Sequence, residues 1–139
     1  MREKTRLAYW IGLVLLALVM SACGGSGAED AAVCEAYQGL VETWPANSEE
    51  VQAAGTAMDI WDAVAVEGNA LMAAAESAGN AELREAGVAV GEWAANYYEN
   101  NKDYAVGDGF VPFFNEGQTP GGDVISTICE EIGTPITLR

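Results

Sequence analysis

The reactive side chains of this chain are three thiols and a surplus of carboxylates. Cys23, Cys34 and Cys129 are its cysteines; 21 Asp and Glu face 6 Lys and Arg, and there is no His. Without imidazole there is no Ser-His or Cys-His nucleophile. Histidine-ligated zinc sites are excluded too, as are di-iron bundles built on Glu-x-x-His pairs. Neither a Walker A loop nor a dinucleotide-binding glycine motif occurs, and the glycine-rich stretch 107–122 lacks the lysine of a phosphate loop. Two carboxylate pairs, Asp59 with Asp62 and Glu82 with Glu85, are spaced three apart. That spacing places each pair on one helix face, where two carboxylates can act as acid and nucleophile in glycoside hydrolysis. Such pairs recur in any acidic helical protein, and no polar partner stands out beside these. We read them as solvated surface, with a carboxylate hydrolase as a distant alternative. Asp103, Asp108 and Glu116 offer oxygen ligands for calcium, but their spacing is not that of an EF-hand loop. No metal and no cofactor are expected.

The first 23 residues are of a different kind. Arg2, Lys4 and Arg6 precede an apolar run from Leu7 to Met20, followed by Ser21, Ala22, Cys23 and a glycine-rich segment to Gly27. A basic start, a short apolar core and a small-residue end mark a secretory signal. The run is too short for a spanning helix, which needs about 20 apolar residues. The end, Met20-Ser21-Ala22-Cys23, resembles the lipobox of bacterial lipoproteins, with Met20 where Leu is usual. The resemblance implies cleavage before Cys23 and a diacylglyceryl thioether on its sulfur, with residues 1–22 removed. Two acyl chains anchor stably where one binds marginally. Residues 23–28 would then form a tether with a reach on the order of 10–15 Å. The expected location is the extracytoplasmic face of the cell membrane.

Processing at that site discards Arg2, Lys4, Arg6 and Glu3, which moves the net charge from −15 to −17. Arg84, Lys102 and Arg139 become the remaining cations. So negative a chain does not suit nucleic acid or flat attachment to anionic lipid. Its acids are scattered, which fits a solvated surface, with capture of a basic partner or cationic ligand as the alternative. With Cys23 lipidated, Cys34 and Cys129 are left as an even pair in an exported chain, which suggests a disulfide. Two buried free thiols are the alternative.

The remaining roughly 115 residues suffice for one hydrophobic core. Apolar periodicity predicts an all-α fold, a small bundle of about four helices spanning 29–139. A first helix over 29–44 carries the stripe Val33, Tyr37, Leu40 and Trp44 and stops at Pro45. Asn47 with Glu50 forms a capping box for a long second helix reaching Gly79, with a break expected near Gly68-Asn69. Asn80 caps a third helix with the stripe Leu83, Ala86, Val90, Trp93 and Tyr97. A long connection over 102–122 leads to a last helix capped by Asp123, with Val124, Ile125, Ile128 and Ile132 facing inward. Short links make neighbouring helices antiparallel.

Trp44, Trp61, Trp93 and Tyr97 lie on the helical stripes and are read as core. Tyr104, Phe110, Phe113 and Phe114 fall in the long connection, and loops of that length are often functional. They are candidates either for a lid on the open bundle end or for an apolar contact patch. The arrangement expected is mixed, with Phe113 or Phe114 buried and Tyr104 and Phe110 reachable. The function expected is a membrane-anchored surface lipoprotein, non-enzymatic, binding or supporting an envelope component. The alternative is an accessory protein that holds a small apolar or cationic ligand between helices and the aromatic loop.

Overall fold

The computed structural model describes residues 27–101 and 113–139. Cys23, Lys102, Asp103, Tyr104, Asp108 and Phe110 lie outside the described residues. The described chain is helical: α1 over 27–43, α2 Ser48–Ala53, α3 Ala57–Glu76, α4 Ala81–Ala95, α5 Tyr97–Asn101 and α6 Gly122–Glu131. A 3-10 turn at Glu116–Gln118 precedes α6, and no strand occurs among the described residues. Helices α1, α3, α4 and α6 surround the core, as a disulfide-stapled bundle of about four helices.

The stripe on α1 is wholly inside. Val33, Tyr37, Leu40 and Trp44 are all buried, with Cys34 and Val41 beside them. They meet Ile60, Val64 and Leu71 of α3, Leu83 and Val90 of α4, and Ile125 and Cys129 of α6. Cys34 and Cys129 are joined, with Cα atoms 5.8 Å apart across a sequence separation of 95. The bridge ties the first helix to the last. Asp30 adds a second tie, because its Oδ1 accepts from the backbone N–H of Gly79 at 2.8 Å and of Asn80 at 3.1 Å. One carboxylate thus holds the α3–α4 turn against α1.

The α3–α4 hairpin is close because glycines face each other. A Cβ at Gly68 would lie 2.7 Å from the Gly91 carbonyl oxygen, and one at Gly91 would lie 2.6 Å from that of Gly68. Gly68 therefore does not break its helix, contrary to the expectation from sequence. It is buried in mid-helix, and its lack of a side chain lets the two backbones touch.

The break falls instead at Gly55, where φ is 101°. A left-handed residue suits Gly and cannot continue a helix. Thr56 then restarts the chain with a full capping box: its hydroxyl accepts from Asp59 N–H, and Asp59 accepts from Thr56 N–H at 3.0 Å. The Thr56 hydroxyl, which also donates to Asp59 Oδ2 at 2.7 Å, and after it the Thr56 N–H hold the Asp59 carboxyl below its ordinary range. The expected box at Asn47 serves only the six-residue α2, in which Asn47 Oδ1 accepts from Glu49 and Glu50 N–H. Asn80 caps α4 as expected, accepting from Leu83 N–H at 3.0 Å.

Two details of the last helix differ from expectation. Gly121, with φ of 90°, stands at the N-cap, and Asp123 lies inside the first turn. Ile125 and Ile128 are buried, but Ile132 is 42% exposed. Ile132 is the C-cap, where the chain turns away: Thr134 N–H bonds Cys129 O at 2.8 Å and Gly133 N–H bonds Glu130 O at 3.1 Å. This is the Schellman pattern, which needs a left-handed residue at Gly133.

Candidate functional site

Two regions of the described structure concentrate side chains with functional potential. The first is the end of the bundle where α1 stops. Pro45 ends α1 and leaves Trp44 pointing into the space between α3 and α4. Trp44 stacks on Trp93 with ring centroids 5.1 Å apart and meets the edges of Tyr97 at 5.0 Å and Trp61 at 6.0 Å. Trp61 in turn stacks on Tyr97 at 5.0 Å and lies 6.3 Å from Tyr98. Stacked and edge-on pairs of this kind add to the gain from burial.

The two phenylalanines of the long connection divide between core and solvent. Phe114 N–H donates to Pro45 O at 2.9 Å, which seats its half-buried ring 6.0 Å from Trp44. Phe113 is 51% exposed beside it. Met58, one turn before Trp61, and Tyr98 are also exposed, at 48% and 37%. An open depression of about 570 Å³ adjoins this end, lined by Ala89, Glu92, Trp93, Asn96 and Pro120.

The second region is the corner where the 3-10 turn, α6 and the C-terminal tail meet. Asp123, Ser126, Thr127 and Glu130 recur on the polar face of α6, and Glu116 faces them from the turn. With Pro135, Ile136 and Leu138 of the tail they line an open depression of about 370 Å³. Ser126 Oγ donates to Glu116 Oε1 in a short hydrogen bond. The tail is held in place by Gln38 of α1, which accepts from Thr137 N–H at 2.8 Å and donates to Thr137 O at 3.2 Å. Arg139 completes the tie, donating to Glu42 O at 2.9 Å and pairing with Glu50 at 3.2 Å. The Ala46 N–H, and after it Arg139, hold the Glu50 carboxyl below its usual range.

Behind this corner lies Tyr37. The residue is fully buried, and its hydroxyl has no hydrogen-bond partner among the described residues. That hydroxyl sits against Gly122, where a Cβ would come within 2.6 Å of it. Burial, and next the negative charge of Glu116, push the phenol well above its ordinary pKa, so it stays protonated. Ser126, whose hydroxyl donates to Glu116 and keeps lone pairs to accept with, acts on the phenol in the opposite sense by hydrogen bonding.

Of the candidates from sequence, Cys34 and Cys129 are brought together, Phe114 joins the tryptophan cluster and Phe113 faces solvent. Cys23, Tyr104 and Phe110 lie outside the described residues. The carboxylate pairs Asp59/Asp62 and Glu82/Glu85 are exposed and line neither depression. Among the described residues no group of three acidic or thiol side chains is arranged to hold a metal ion, and no helix is long and apolar enough to cross a membrane. Sequence reasoning missed the corner around Glu116. The polar stripe Asp123, Ser126, Thr127 and Glu130 was visible as a helix face, but its approach to Glu116 and Tyr37 is tertiary. Comparison of the chain with protein-family models, with curated proteins and with solved structures gives no match.

Proposed function

We propose that this chain is a lipid-anchored lipoprotein of the extracytoplasmic membrane face, whose helical domain binds or supports an envelope component without chemistry of its own. The observation that carries this reading is the course of α1. The helix is already under way at residue 27, four residues after Cys23, and leads straight to Trp44. At 1.5 Å per residue the aromatic end stands about 25 Å from the helix start. A domain tethered through the start of α1 has Phe113, Met58 and Tyr98 exposed at the far end of that helix, within reach of a partner. The disulfide supports the same reading, since such bridges persist in oxidising compartments.

The alternative, a small ligand held between helices and aromatics, is less well supported. The tryptophans of the described end stack on one another, and the two described depressions lie at the surface. Comparison of the wild type with Cys23→Ala tests the proposal. Wild-type protein should be cleaved before Cys23 and enter detergent with acyl mass on its N-terminal peptide, whereas the variant should carry no acyl mass and retain residues 1–22. The same cleavage and the same N-terminal mass class in both would contradict an anchor at Cys23.

A further inference from the structure

The tail that follows α6 is held to α1 as a bound peptide is held. From Thr134 to Arg139 the chain has no regular secondary structure. Its central contact is the Gln38 side chain, which accepts from Thr137 N–H at 2.8 Å and donates to Thr137 O at 3.2 Å. In an antiparallel sheet two residues exchange both bonds in this way. Here one side-chain amide takes the place of the neighbouring strand, and the contact is blind to the side chain at 137. Gln38 is itself pre-set, because its Nε2 also donates to Glu42 Oε1 at 3.1 Å. One residue before the clamp, Ile136 packs against the core. Two residues after it, Arg139 donates to Glu42 O at 2.9 Å and pairs with Glu50 at 3.2 Å. Backbone bonds that give affinity, flanked by side-chain contacts that give specificity, are how a surface recognises an extended segment.

These contacts are also easily undone. The bonds at Gln38 and Arg139 are exposed, and Ile136 is only half-buried. Water competes for such hydrogen bonds, and an exposed ion pair contributes little. The turn at Gly133 gives the tail a pivot: its φ is 84°, and a Cβ there would meet nothing within 4 Å. We propose that this face of α1 is a docking site for an extended segment of a partner protein, with Thr134–Arg139 as its exchangeable resident. The segment carries an apolar residue and, three positions on, a Lys or Arg, the pattern of Ile136 and Arg139. Charge agrees, since the site supplies Glu50 and the chain is acidic at −15, which steers a basic segment to it. Exchange needs no new fold, because the partner makes the bonds of the tail it displaces. The site lies apart from the aromatic rim. It rests on the proposed binding role and not on the lipid at Cys23.

The test is ligand-observed NMR titration of the full-length protein in detergent with an acetylated peptide of the sequence Thr134–Arg139. In the wild type the tail competes at high effective concentration. Loosening it in the full chain, by Ile136→Ser with Arg139→Ala, should strengthen peptide binding about tenfold, as tail occupancy falls from about nine-tenths toward nil. Gln38→Ala in that background should weaken binding about tenfold, and N-methylation of the peptide at the Thr137 position about fivefold. Sigmoidal melts of the variants check that the bundle is intact. Hydrogen exchange of the wild type needs no variant: the Thr137 amide should exchange at least tenfold faster than the Cys129 amide inside α6. Three results would overturn the proposal: a loosened chain that binds no more tightly than the wild type, undiminished binding after Gln38→Ala or N-methylation, or a Thr137 amide protected as long as that of Cys129. So would a concentration-dependent dimer lost in Arg139→Ala, because the exchanging segment would then be a second copy's tail.

Discussion

The aromatic end and the acidic corner are built on the same helix and solve opposite problems. At the aromatic end each ring of the cluster has a partner, from Trp44 on Trp93 to Phe114 on Trp44. Even the backbone of the incoming segment is satisfied, by the bond from Phe114 N–H to Pro45 O. At the corner, two turns back along α1, Tyr37 is as deeply buried as Trp44 but its hydroxyl is unpaired. The difference separates packing from poise. The aromatic end has a mutually packed interior and an exposed rim at Phe113, Met58 and Tyr98. The corner keeps a buried hydroxyl with no hydrogen-bond partner among the described residues.

The largest expected effect comes from the bridge that ties α1 to the floor of the corner. Cys34–Cys129 closes a loop of 95 residues, for which the chain-entropy model assigns about 4–5 kcal/mol. That is a large part of the roughly 5–15 kcal/mol by which domains of this kind are stable. Reduction should lower the melting temperature markedly. Hydrogen exchange should rise first in α6, next to Cys129, and later around Trp44. An unchanged melting curve after reduction would show that packing alone holds the two helices together. A smaller effect is expected from the paired phenylalanines. Phe114→Ala should cost about 1–3 kcal/mol, because the ring is only half-buried, while Phe113→Ala should stay within about 0.5 kcal/mol. Denaturant melts of the two variants check this directly, and equal costs would mean that the exposed rim is also core. The smallest effect is the most diagnostic. A buried Tyr→Phe change normally loses about 1 kcal/mol with its hydrogen bond. At Tyr37 no such bond is present to lose, so Tyr37→Phe should leave stability unchanged or raise it by up to about 1 kcal/mol. A clear loss of stability would make the corner an ordinary satisfied interior and erase the contrast with the aromatic end.

Much of the fold was legible because its signals are local. The α1 stripe, the Asn80 cap, the stop at Pro45 and the end at Gly133 each depend on residues within a turn of one another, and each stands in the structure. The misplaced break teaches the same lesson. Gly55 followed by Thr56 and Asp59 carries its own stop and restart, and that local signal outweighed the longer periodicity running through it. Gly68 was misread because its reason is not local: it faces Gly91 across the hairpin. Ile132 was assigned inward from helical spacing, yet it sits at the C-cap where that spacing ceases to apply. The candidate sites divide in the same way. The cysteine pair could be inferred by counting; that one of Phe113 and Phe114 turns inward was expected, and Phe114 is half-buried, whereas Tyr104 and Phe110, expected to be reachable, lie outside the described residues. The convergence of Glu116, Ser126 and Tyr37 spans three separate segments of the chain, and no short-range pattern announces it.

The proposed function turns on an anchor at Cys23. The direct measurement is the intact mass and N-terminal peptide mass of the mature protein extracted from membranes. The account predicts a chain that begins at Cys23 and carries a diacylglyceryl thioether on that sulfur, and that is lost in Cys23→Ala. A mature chain that begins downstream of Cys23 and carries no lipid would contradict it.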